Sequence, residues 1–88
     1  MADAVNEVLA DAVLGMIAWL ELVDAETLDP DVAVQTLGQL AYHLHRLEGA
    51  DREWFAAYAR MVASKERDPR YRRTFEAVAG DLATDERR

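Results

Sequence analysis

Four stretches of the chain carry apolar residues three and four positions apart, and two of them begin with an Asp-Pro pair. Such spacing lines up apolar side chains along one side of a helix, whereas a half-buried strand would need strict alternation, and no such run is present. Asp29-Pro30 and Asp68-Pro69 are helix starts: an aspartate side chain can accept from free N–H groups, and proline suits the first helical position. Asp31 adds a carboxylate at the positive end of the second helix. The pattern predicts an all-α fold, a small bundle of about four antiparallel helices in a single domain over 1–88. A chain of 88 residues has room for one core, and links this short favour antiparallel neighbours.

The first helix is expected over about 3–23, with Val5, Leu9, Ala12, Met16, Leu20 and Val23 as its buried stripe, broadened by Val8, Val13, Ile17 and Trp19. Glu7 and Asp11 lie opposite. Leu14 and Leu22 also fall on that far side, so the helix is apolar almost all round and belongs either at the centre of the bundle or against a second partner. The second helix, over 30–47, should bury Ala33, Leu37, Leu40, Ala41, Leu44 and Leu47 and end at Gly49 in a left-handed cap. Asp51 is the expected cap of a third helix over 51–67, facing inward with Trp54, Phe55, Tyr58, Met61 and Val62. A fourth, over 69–82, presents Tyr71, Phe75, Val78 and Leu82, and the polar tail 83–88 should fray.

Composition narrows the function classes. Hydrophobic residues make up 51% and charged residues 31%, a globular mixture and the reverse of a disordered one. With 0 Cys there can be no disulfide, thiolate zinc site or cysteine nucleophile, and an unstapled small domain fits a reducing compartment. The apolar run from Ala12 to Leu20 is too short to span a bilayer before Glu21 interrupts it. Asp3, Glu7 and Asp11 before it give the wrong charge for a signal peptide. A cytoplasmic protein is expected, with no membrane partner.

The net charge of -7 argues against nucleic acid as a partner. Its distribution is lopsided: residues 1–45 hold eight acids and no Lys or Arg, while residues 46–88 hold all ten basic residues against nine acids. Nearly all the basic residues are Arg and alanine is abundant, as GC-rich codons encode, which suggests a high-GC bacterial source.

No constellation carries chemistry. His43 and His45 are two apart and diverge by roughly 200° on a helix, so they cannot chelate one ion, and no Glu lies three residues before either. Glu7 and Asp11 share a face but lack the turning loop a calcium site needs. Ser64, the only serine, has no strand-to-helix elbow around it, and the scattered Gly15, Gly38, Gly49 and Gly80 cannot cradle phosphate. We therefore expect no catalytic residue, no metal, no cofactor and no enzyme activity.

Surface patches remain. Lys65, Arg67, Arg70, Arg72 and Arg73 surround the junction of the third and fourth helices. They either neutralise the acidic half, the favoured reading, or grip an anion, for which Arg67, Arg70 and Arg73 are the candidates. Gln39, Tyr42 and Arg46 lie opposite the second helix's core stripe, with Gln35 and His43, in the composition of an interface anchor. The alternative is a solvated tyrosine stacked on Arg46. Leu14 and Leu22 divide between interface and residual core.

The run Leu14-Gly15-Met16-Ile17-Ala18-Trp19-Leu20-Glu21-Leu22, then Asp29-Pro30-Asp31-Val32-Ala33-Val34, resembles a group of small acidic all-helical proteins of high-GC bacteria. Asp68-Pro69-Arg70-Tyr71-Arg72 followed by Phe75 is similar to their C-terminal helix. The resemblance implies the fold and carries no functional residue with it. The expected function is a non-enzymatic protein-interaction domain acting through helical surfaces as a homodimer, or docking its acidic half on a basic toxin in an immunity-like or antitoxin-like role. The alternative is a small-anion or phosphorylated-ligand module built on the arginine cluster.

Overall fold

The computed structural model describes the backbone of residues 2–84 and the side chains of residues 4–83. They form α1 (Ala2–Leu22), α2 (Pro30–Leu44), α3 (Gly49–Lys65) and α4 (Pro69–Thr84), with no strand among the described residues. The protein is a small all-α bundle. Residues 85–88, most of the expected frayed tail, lie outside the described residues, and 83–84 continue α4.

Both Asp-Pro starts work as the residues dictate. Asp29 Oδ1 accepts from the Asp31 N–H at 2.8 Å, and Asp68 Oδ1 accepts from the Arg70 N–H at 2.9 Å. The α2–α3 junction departs from expectation. α2 closes three residues early, in a tightened turn where the N–H groups of Arg46 and Leu47 donate to the carbonyls of His43 and Leu44. Gly49 does take a left-handed conformation, at φ 56, but as the first residue of α3 rather than as the end of α2. Asp51 is therefore not a cap. It lies inside the first turn, where its charge still favours the helix.

The core is built largely from alanine. Ala10 and Ala18 of α1, Ala56, Ala59 and Ala63 of α3 and Ala79 of α4 are buried together with Leu14, Phe55, Phe75 and Leu82. Alanine lets helix axes come close, and the few large side chains fill what remains. The α3–α4 pair is the most extensive contact, and α1 is the one helix that packs substantially against all three others.

That arrangement corrects the expected orientation of α1. Leu14 is 1% exposed and Ile17 and Ala18 are buried, whereas Val5, Val8, Leu9, Met16 and Trp19 are all exposed. The alanine-bearing face went inward because it permits close approach to α3 and α4. Of the residues expected to face inward, Leu20 and Ile17 are fully buried, and Val13 and Val23 are half-buried. In α3 the inward face is likewise shifted toward alanine: Phe55 is buried, Trp54, Tyr58 and Val62 are half-buried, and Met61 is exposed. Only Ala33 of α2 is fully buried. Leu37, Leu40, Leu44 and Leu47 are half-covered and Ala41 is exposed, so the stripe faces inward without being sealed. α4 buries Phe75 and Leu82 and half-buries Tyr71 and Val78, as its spacing predicts.

Candidate functional site

Most of the large apolar side chains left exposed among the described residues lie on the outer side of α1. Val5, Leu9, Ala12, Met16 and Trp19 follow one another in steps of four, three, four and three residues, and all five are exposed, with Val8 alongside. Exposure reaches 59% at Leu9 and 43% at Trp19, far more apolar surface than a single scattered side chain presents. Steps averaging 3.5 residues keep such a stripe on one line when a second helix winds along it, which is coiled-coil spacing. Glu7, Asp11 and Glu21 project more than about 100° from the centre line of the stripe at 100° per residue, Asp11 being the nearest of them to its Trp19 edge. Its immediate flanks, Asn6, Val8, Val13 and Gly15, carry no charge.

One edge of the stripe opens into a hollow of about 290 Å³ between α1 and α3, with Leu9, Ala10, Val13, Leu47, Trp54 and Phe55 in its apolar walls and Asn6 and the Asp51 carboxylate at its polar points. Trp54 stacks on Tyr58, ring centres 5.0 Å apart and nearly parallel. The Tyr58 hydroxyl donates to Asp11 Oδ1 at 2.8 Å, tying α3 to α1. That bond to a carboxylate pushes the Tyr58 hydroxyl up to about 12, because ionisation would break it and set two negative charges together. Asp11, expected on a solvated acidic face, thus has a structural partner.

A second hollow, about 460 Å³, runs between α2 and α4, with Leu37, Gly38, Ala41, Leu44, Ala77 and Val78 in its apolar walls and Glu21, His45 and Asp81 at its polar points. Arg52 organises the His45 end. Its Nε donates to the Leu82 carbonyl at 2.9 Å, and its Nη1 to the carbonyls of Leu47 and His45 at 3.2 and 3.3 Å. Its Nη2 lies 3.1 Å from His45 Nδ1. A guanidinium only donates, so Nδ1 accepts and the ring proton is assigned to Nε2, which donates to Asp81 Oδ2 at 2.8 Å. This set joins the ends of α2 and α4 through α3. Thr74, in the same hollow, gives its hydroxyl proton to the Arg70 carbonyl at 3.2 Å. No group of three or more His, Asp or Glu is placed to hold a metal among the described residues.

The candidate interaction residues of α2 stay at the surface. Tyr42 is 65% exposed, but its ring meets His43 edge-on at 5.4 Å, and Arg46 Nη1 donates to His43 Nδ1 at 3.3 Å. Gln39 is exposed beside them. Leu14 is removed from the interface candidates by its burial, while Leu22 is half-buried, beside Arg70 at the rim of two shallow hollows.

The arginine cluster is divided. Arg70 pairs with Asp68, Nη2 to Oδ2 at 3.0 Å, and that hydrogen bond with its charge holds the Asp68 carboxyl below its usual range. Arg72 donates from Nε to the Glu66 carbonyl and from Nη2 to the Arg67 carbonyl, each at 3.3 Å, closing the end of α3. Arg73 is exposed and shares a shallow hollow with Arg70 and Glu21, which Arg67 does not line. The three anion candidates therefore do not converge on one point.

Arg52 was not among the sequence candidates, and the only available signal was an Arg placed eight residues past the end of α2, within reach of the carbonyls that follow it. No family model matches the chain, and no curated protein and no solved structure matches it either. None of the described helices is long and apolar enough to cross a membrane.

Proposed function

We propose that this protein is a non-enzymatic interaction module whose working surface is the outer side of α1. The observation that carries this reading is the row Val5, Leu9, Ala12, Met16 and Trp19, exposed on the helix that already contacts every other element. Leaving such a row in water forfeits roughly 25 cal/mol for each Å² that a partner would cover. Helix-in-groove or helix-on-helix recognition reads this kind of spacing. The polar sets elsewhere are accounted for structurally: Arg52, His45 and Asp81 tie helix ends together, and Ser64 Oγ donates to the Met61 carbonyl at 2.7 Å.

The anion-binding alternative has less support. A phosphate at Arg70 would compete with Asp68, and at Arg73 it would meet Glu21.

Photo-crosslinking tests the reading. A benzophenone amino acid in place of Ala12 should capture protein on irradiation, and the same group in place of the exposed Ala57 on α3 should not. Equal labelling at the two positions, or none at Ala12, would contradict the proposal.

A further inference from the structure

We infer that the hollow beside Leu9 takes a guanidinium group: the arginine side chain of a partner protein whose apolar residues cover the outer side of α1. This rests on that side being the working surface, and it names the chemistry of the partner.

The hollow joins a carboxylate to an aromatic wall. Asp51 and Trp54 both line it, and at three residues apart on α3 they share one side of that helix. The Trp54 ring is held by its stack on Tyr58, and Tyr58 by its bond to Asp11 of α1. A guanidinium matches such a pair, since it is attracted to an indole ring and forks its N–H groups onto carboxylate oxygens. Lysine fits less well, because its ammonium is compact, strongly hydrated and not planar.

The chain does not supply this cation itself. No Lys or Arg among the described residues lines the hollow, and among them the Asp51 carboxylate has no hydrogen-bond or ion-pair partner. Arg52, the next residue, is turned to the carbonyls of Leu82, His45 and Leu47.

Size and position favour a partner's side chain over a free small ligand. The volume of about 290 Å³ falls just short of the roughly 300–1,000 Å³ of small-molecule sites. Leu9 belongs both to the wall of the hollow and to the exposed stripe, so the two surfaces are continuous. A segment lying on Leu9, Ala12 and Met16 can therefore pass one side chain over Leu9 toward Asp51. The net charge of -7 draws a basic partner rather than an acidic one. A second copy meeting this face through its own α1 has no such side chain to offer, because residues 1–45 hold no Lys or Arg.

Two arms on the full chain test the inference. In the first, n-butylguanidinium is titrated into isotope-labelled protein and the indole N–H signals are followed by NMR, with n-butylurea as the uncharged probe of similar shape. The guanidinium should move the Trp54 signal to saturation and leave that of Trp19 in place. Asp51→Asn, or the urea on the unaltered protein, should weaken the effect at least about threefold, the scale of an exposed charge pair. Asp51 is exposed, so helicity by circular dichroism should be unchanged in the variant. In the second arm, the benzophenone amino acid in place of Ala12 is combined with Asp51→Asn, which should lower capture by a similar factor. Mass spectrometry of the cross-linked partner peptide should find an arginine within about two helical turns of the attachment point.

An unmoved Trp54 signal, equal binding of the two probes, or a cross-linked peptide with no arginine in that span would each overturn the inference. Capture at Ala12 that Asp51→Asn leaves unchanged overturns the arginine anchor while the α1 surface stands. Guanidinium binding with no capture at Ala12 overturns the α1 surface and, with it, the protein partner.

Discussion

Arg52 is the residue on which most separate backbone groups depend. The last carbonyls of a helix have no partner within it, and Arg52 donates to Leu82 near the end of α4 and to His45 and Leu47 just past α2. Replacing it with Ala should lower stability by about 2–3 kcal/mol, the range for losing hydrogen bonds from a charged donor to half-buried acceptors. Urea unfolding measures it. Arg52→Lys should recover only part, since an ammonium lacks the planar fork. Tyr58 makes a different prediction. Its hydroxyl is held up to about 12 by Asp11, above the ordinary value of 10.0. The neutral form is the one the fold favours, so this bond contributes stability fully below about pH 10 and loses it as pH rises toward 12. Ultraviolet titration of tyrosinate should show one late-ionising group that moves down in Asp11→Asn. An unchanged curve would remove the α1–α3 bond from the account. Asp68 has the opposite sign: its carboxyl is depressed by the Arg70 contact, so its contribution is present above the usual carboxylate range and disappears as pH falls below it.

Among the elements, α2 is held least. Its extensive packing is with α1 alone, and its leucines are half-covered. Gly38 adds to this: a Cβ there would meet nothing within 4 Å, so no close approach of helices explains it. Gly38→Ala should stabilise the protein by about 1 kcal/mol through helix propensity. Gly49→Ala should cost about 1 kcal/mol, because φ 56 is strained for any residue with a Cβ. Thermal unfolding of the two variants should shift in opposite directions. The element boundaries were legible from residues with one dominant local role: both Asp-Pro starts lie where they were expected, and the left-handed glycine is where the chain turns. Two things were not legible. One was Asp51, whose capping role would have needed α3 to start three residues later. The other was which side of α1 goes inward. Ranking by size puts Leu9, Met16 and Trp19 in the core, but close packing of α1 on Ala56, Ala59, Ala63 and Ala79 requires the side bearing Ala10 and Ala18. Local spacing marks both faces as apolar, and only the partners' alanines choose between them.

At the scale of the molecule, the same choice determines where an interaction surface can be. With the alanine side used for the bundle, the bulky side is left outward. The candidate surface was therefore only partly legible. A second partner for α1 follows from its all-round apolarity, but the spacing leaves Leu14 between contact and core, where the structure buries it, and puts Leu9, Met16 and Trp19 in the core, where the structure exposes them. The charge split between the halves was visible from the start. It does not reach the face, because the acids of α1 project elsewhere. Hydroxyl-radical footprinting reads the orientation of α1 directly. Met16 and Trp19 should be modified readily in dilute protein, with Leu14 unreactive throughout. Leu14 reacting as fast as Leu9 in dilute, folded protein would mean that α1 faces the other way, and the account built on its outer side would be contradicted.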